Sequence, residues 1–270
     1  MTDSSPTFEA VALSVEDDIA VLTLNRPETL NALNDAMFRE IPVAVAQAAT
    51  RGARALVLTG AGRGFCSGAD LVGRKMAAPA TAEERERNNR IGFERVISTV
   101  RALHEAPMPV VCAINGVAAG GGVGLALAGD VILMSSTARF VLTFVPKLGI
   151  VPDVGVTWLM SRMIGRARAM AVSLLGEPIS AQDAERWGLV WKLCEEGHVH
   201  RDAMAVARRL ADGPRDAVLG TRRLIDAAPE MPLGSHILFE RDLQSRLVGG
   251  PDFVEGVMAF REKRPAKFAR

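Results

Sequence analysis

The chain has 270 residues, 49% of them hydrophobic and 23% charged, with a formal net charge of +1. That length and balance fit one large α/β domain, or one domain with a small appendage, in an ordinary globular protein. Near-neutral charge, 5% aromatic content and the absence of tyrosine exclude an electrostatic binder of nucleic acid or anionic membrane and a base-stacking surface. In chain order, Ile19–Leu24 is an apolar run of strand formers closed by Asn25-Arg26-Pro27. Asn34-Asp35 starts a helix that runs towards Ala49, with Pro42 in its second turn. Ala55–Thr59 is the next strand and ends in the small-residue turn Gly64-Phe65-Cys66-Ser67-Gly68-Ala69-Asp70. Residues 72–82 read as a loop and Glu83–Leu103 as a long helix with a charged, solvated start. Val110–Ile114 is a strand that ends in a second turn, Asn115-Gly116-Val117-Ala118-Ala119-Gly120-Gly121-Gly122, followed by a helix to Ala128. Val131–Met134 and Phe140–Leu142 are further strands. From about residue 153 the pattern turns helical, over 154–163, 166–174, 180–187, 201–211, 214–226, 234–247 and 252–262, with one short strand near Val190–Lys192. Strand–helix alternation followed by an all-helical last third predicts an α/β core, residues 1–200, and a helical C-terminal region, residues 201–270.

The two glycine turns carry the chemistry. A strand that ends in small residues leaves backbone N–H groups free and lets a ligand approach closely. Two such turns can aim two N–H groups at one oxygen and stabilise a carbonyl-derived anion. Neither turn cradles a nucleotide, because the third glycine of a dinucleotide fingerprint is replaced by Phe65 in one and Leu125 in the other, and neither has the Lys-Ser/Thr pair of a phosphate loop. Ser67 lacks the nucleophile-elbow pattern that would pair it with His104, His198, His200 or His236. Cys66 after a buried strand reads as packing, His198 and His200 as a surface loop, and Asp70 as a turn-fixing acid. The three cysteines, Cys66, Cys112 and Cys194, suit neither a disulfide framework nor a zinc site, and imply a cytoplasmic setting. The first residues lack the basic and apolar segments of a secretory signal, and no apolar run reaches membrane-spanning length.

These motifs resemble the crotonase (enoyl-CoA hydratase/isomerase) superfamily. Gly64–Leu71 is similar to its first signature and Asn115–Asp130 to its second. Asn25–Leu33 resembles its opening and Phe260–Phe268 its C-terminal helix ending. The resemblance implies a crotonase-like spiral of strand–helix repeats assembled as a homotrimer or a dimer of trimers. It implies an acyl-CoA thioester as ligand, coenzyme A being part of the substrate, with no other cofactor and no metal. The N–H groups of Ala69 and Gly121 would hold the thioester oxygen. Cys66, Ser67, Gly68, Asp70, Leu71 and Gly120 would shape that site, and Arg26 would meet the coenzyme, with Arg74 and Lys75 as weaker candidates. Phe260 and Lys263 would reach the coenzyme of a neighbouring subunit, although Lys263 also reads as a helix-end cation.

Within the family the hydratases use two glutamates, and their positions are here Gly124 and Val145. A carboxylate stands nearby, in Leu148-Gly149-Ile150-Val151-Pro152-Asp153-Val154-Gly155. This stretch resembles the isomerase branch, the ring-opening isomerase of phenylacetyl-CoA breakdown and Δ3-Δ2-enoyl-CoA isomerases, in which such an acid moves the proton. Read from the residues alone, Asp153 is equally a helix-start acid after a proline. The acyl group would lie against residues 72–100, Phe140, Phe144 and Trp158. The expectation is an isomerase that shifts a double bond or opens an epoxide ring. A 2-enoyl-CoA hydratase and an acyl-CoA-binding protein without turnover are the alternatives.

Overall fold

The computed structural model describes residues 8–72 and 81–269 of a mixed α/β chain built on two sheets. The large sheet runs β1 (Val11–Glu16), β2 (Ile19–Leu24), β3 (Ala55–Gly60), β5 (Val110–Ile114), β7 (Val131–Ser135) and β10 (Lys192–Cys194) in spatial order. β1 and β2 pair antiparallel and the remaining neighbours pair parallel. Every residue of β3 and β5 is buried, as expected of parallel strands covered on both faces. On one face Leu22, Leu56, Leu58, Cys112 and Ile114 pack with Met37, Ile41, Ala44 and Ala48 of α1 (Asp35–Thr50). On the other, Ile19, Ala55, Val57, Val111, Ala113 and Leu133 meet Val199, Ala203, Ala207 and Ala211 of α6 (Val199–Ala211). The i, i+4 alanine stripe lets α6 lie close to the sheet. The expected boundary at 200/201 therefore falls inside a helix that completes the core.

The second sheet is small. It orders β4 (Gly64–Cys66), β6 (Val117–Ala119), β8 (Arg139–Val141) and β9 (Ile179–Ser180), the first three parallel. Gly64–Cys66 and Val117–Ala119, expected as turn, are strands, and β1 and β9 have no counterpart among the expected elements. Three small or mixed residues carry no strand periodicity; they become strands by pairing with one another. Two chain segments thus repeat one path, a long strand, a short strand, then a helix: β3, β4, α2 (Ala82–His104) and β5, β6, α3 (Gly121–Leu127). β7 and β8 begin a third, at unequal sequence spacing, so no fixed period is visible.

α4 (Val156–Leu175) breaks at Gly165, with φ 74 and ψ 163, where the sequence predicts the boundary between two helices. α5 (Ala181–Trp187), α7 (Arg215–Ala227), α8 (Leu233–Leu247) and α9 (Pro251–Glu262) follow the predicted spans within two residues. α1 stays continuous across Pro42, which cannot donate to the Phe38 carbonyl one turn earlier. The Thr99 hydroxyl of α2 lies 2.9 Å from that carbonyl and 2.9 Å from Arg95 O, so its one proton is shared between the two acceptors. The same contact ties α2, which overhangs the cleft described next, to α1.

Candidate active site

Three loops leave the small sheet at one edge, because β4, β6 and β8 are parallel neighbours. They are the turn Ser67–Asp70, the turn at Gly120-Gly121, and the segment from Thr143 to Val154. The first two touch through backbone. Gly68 sits at φ 90, and a Cβ there would lie 2.8 Å from the Ala119 carbonyl oxygen and 3.5 Å from Gly120 Cα. Only glycine permits both the conformation and the approach.

The directions of the free N–H groups follow from their surroundings. Leu33 N–H donates to Gly68 O at 2.7 Å and Asp70 N–H donates to Leu33 O at 2.9 Å, a parallel bridge between Leu33 and Ala69. Alternation then turns the Ala69 N–H away from Leu33, on the side where Ala69 lines a cleft. Gly121 is the first residue of α3, so its N–H has no acceptor one turn back. Among the described residues neither N–H has a hydrogen-bond acceptor.

Side chains brace the first turn from behind. The Ser67 hydroxyl donates to Thr29 O at 2.9 Å. Arg26 donates to Ala32 O at 2.7 Å and reaches the Asp70 carboxylate at 2.8 Å. Buried Asn31 donates to Ala61 O and Gly64 O, each at 2.9 Å. Arg26 lines the cleft, but a phosphate bound there would share its guanidinium with Asp70.

The cleft has a volume of about 680 Å³. Ala69, Gly120 and Gly121 meet Phe144, Leu71 and Asp153 in it, and α2 contributes Asn88, Asn89, Phe93 and Val96. Among the described residues three carboxylates line it. Asp35 is open to solvent and faces Arg95 at 3.4 Å, and Asp70 is held by Arg26. Asp153 is half-buried and, among the described residues, has no cationic partner. Burial pushes its carboxyl above the ordinary value of 3.8, an effect its own backbone N–H partly offsets. It does not cap α4: the cap is Gly155, and the first turn of that helix holds no acid.

The two positions where hydratases carry glutamate are not part of the cleft lining. Gly124 lies inside buried α3, and a Cβ there would stand 2.2 Å from Val154 O and 2.7 Å from Val154 Cβ. The chain that brings Asp153 in thus fills the space a side chain at 124 would need. Val145 is in the π-turn Phe144–Leu148.

The other residues singled out in the sequence lie as follows. Cys66 is fully buried behind the turn, where burial pushes its thiol up to about 12, and its side chain packs in the core. Gly68 likewise is covered by Ala119. Phe140 belongs to the core, not the acyl pocket. Trp158 packs edge-on to His104, with Arg162 3.8 Å over its ring, and does not line the cleft. Phe260 and Lys263 are exposed and do not line the cleft of their own chain. Arg74 and Lys75 lie outside the described residues. His198 pairs with Glu195 at 3.1 Å, and among the described residues no group of three metal-ligating side chains gathers. Leu33, Phe38, Thr143 and Val154 line the cleft without having been singled out. They are apolar or uncharged, and only the three-dimensional path marks them.

Fold and cleft together define an α/β protein that, among the described residues, sets two free backbone donors and one unpaired carboxylate around a cavity. The chain belongs to the enoyl-CoA hydratase/isomerase family, whose pattern it matches over residues 14–270, and so to the crotonase superfamily. It is 41% identical over 264 residues to the 1,2-epoxyphenylacetyl-CoA isomerase of Escherichia coli K12, a match covering 97% of this chain and 98% of that one. It is 40% identical over 262 residues to a Rhodobacter capsulatus protein named "Probable enoyl-CoA hydratase", with the same coverage, 97% and 98%. Among solved structures it resembles the enoyl-CoA hydratase of Bacillus anthracis with a TM-score of 0.87 at 30% identity, covering 96% and 99% of the two chains.

Proposed function

We propose that this enzyme isomerises unsaturated acyl-CoA thioesters through an enolate, with Asp153 as the proton carrier. One observation carries the reading: among the described residues, Asp153 is the single cleft carboxylate that neither pairs with a cation nor stands open to solvent, and it shares the cavity with the Ala69 and Gly121 N–H groups. Its carboxylate takes a proton from C2 of a 3-enoyl thioester. The electron pair moves onto the thioester oxygen, where the two N–H groups receive the charge, each contributing on the order of 3 kcal/mol to the transition state. The same group then returns the proton at C4, leaving the conjugated 2-enoyl product. One carboxylate suffices, and the proton shift as written calls for no metal or redox group. Hydration would need a second acid or base to hold the water, and Gly124 and Val145 supply none.

The 41% identity to an epoxyphenylacetyl-CoA isomerase favours a second version, in which the same site opens a strained ring next to the thioester. The aromatic wall of Phe38, Phe93 and Phe144 suits a cyclic acyl group. Phe260 and Lys263, with the exposed Leu233, Ile237 and Leu238 of α8, are assigned to contacts between subunits of a trimer. The test is to add 2-enoyl-CoA and follow loss of the conjugated thioester absorbance. Little hydration is expected. Rapid hydration that survives Asp153→Ala would overturn the reading.

A further inference from the structure

Resting on the assignment of Asp153 as proton carrier, we propose that Val154 is a positioning residue that fixes the Asp153 side chain over the two glycine turns. Val154 has φ 53, in the left-handed region, where a β-branched residue is an outlier. Strain of this kind persists only where the surroundings impose it. Here the surroundings are visible. Val154 is buried, and its Cγ2 would stand 2.9 Å from a Cβ at Gly121, its carbonyl oxygen 2.2 Å from a Cβ at Gly124. The absence of side chains at those two positions of α3 opens a slot, and Val154 occupies it. The left-handed turn at 154 lies between Asp153, which lines the cleft, and Gly155, which caps α4. Glycine would adopt this φ without strain, so what valine adds is a wedge. One residue therefore sets the spacing between the carboxylate and the Gly121 N–H.

The test uses Val154→Gly, which removes wedge and strain together, and Val154→Ala, which removes most of the wedge and keeps the strain. Isomerisation of a 3-enoyl-CoA and a 13Cγ-aspartate NMR titration of Asp153 are both followed. Loosening the carboxylate is expected to lower kcat about 10- to 100-fold with KM within about twofold, since small misplacements of a reacting group have effects of that size. The Asp153 titration midpoint is expected to move down towards the ordinary carboxylate value as water enters. If kcat stays within about threefold of wild type in both variants while Asp153→Asn is inactive, Val154 does not position the acid. If Asp153→Asn is instead fully active, the assignment of Asp153 falls. The NMR titration then decides the Val154 inference alone: an unchanged midpoint in both variants overturns it.

Discussion

Asp153 couples chemistry to stability in a way that one substitution separates. Its pKa is higher in the folded chain than in the unfolded chain, because burial disfavours the ionised form. Below the unfolded value both states are protonated and the group is neutral in the balance. As pH rises through the folded value, ionisation weakens the native state. Asp153→Asn is therefore expected to lower isomerase kcat by about 10²- to 10⁴-fold and to raise the melting temperature at pH 7 to 8, a gain that fades towards pH 4. A melting-temperature series against pH checks the sign. The same upward shift should place the acidic limb of the wild-type pH–rate profile above the ordinary aspartate value of 3.8. Gly124 gives a second residue-scale prediction. Alanine normally stabilises a helix interior relative to glycine by about 1 kcal/mol. Here its Cβ would meet Val154 O, so Gly124→Ala should instead destabilise by about 1–3 kcal/mol in urea unfolding. Gly124→Glu should not create a hydratase. Cys66 and Cys112, with thiols pushed up to about 12 by burial, should resist a disulfide reagent at pH 8 until the chain is unfolded. Of these residues, Asp153 and the glycines were legible in the sequence. Val154 was not, because its left-handed conformation runs against valine's own preference, and the glycines that accommodate it lie thirty residues upstream in the chain.

At the scale of elements, proline and threonine in different helices solve one backbone problem. Pro42 leaves the Phe38 carbonyl without its helical donor, and the Thr99 hydroxyl, shared with Arg95 O, reaches it at 2.9 Å. Thr99→Val should cost about 1–3 kcal/mol, the range for a buried unsatisfied polar group. The cost should shrink when Pro42→Ala restores the native N–H, a non-additivity that a double-mutant cycle in urea would measure. The long strands and nearly all the helices were readable because each carries its own apolar period, and three helices add a side-chain cap, as at Asn34, whose side chain accepts from Met37 N–H. The small sheet was not readable. Gly64–Cys66 and Val117–Ala119 are three residues each and have no pattern of their own; their structure comes from pairing across more than fifty residues of chain. Yet this sheet is what brings the glycine turns together.

Over the whole molecule, parallel pairing explains why the site lies where it does. Strands β4, β6 and β8 end at one edge, so three loops distant in sequence deliver Ala69, Gly121 and Asp153 to one cavity. The helices beyond α6 stand apart from that arrangement: α7 and α8 bury no residue within the chain, and Ile225, Leu233, Ile237 and Leu238 are exposed. An apolar surface of that kind is expected to be covered by other copies, so light scattering should find an oligomer, which the proposed subunit contacts make a trimer or its double. The proposed chemistry rests on one carboxylate beside two backbone donors. The most direct measurement is conversion of 3-enoyl-CoA in D2O, comparing wild type with Asp153→Asn. The expected result is appearance of the conjugated thioester in wild type, exchange at C2 or C4, and loss of both in the variant by at least about 100-fold. Isomerisation and exchange at wild-type rates in Asp153→Asn would contradict the account.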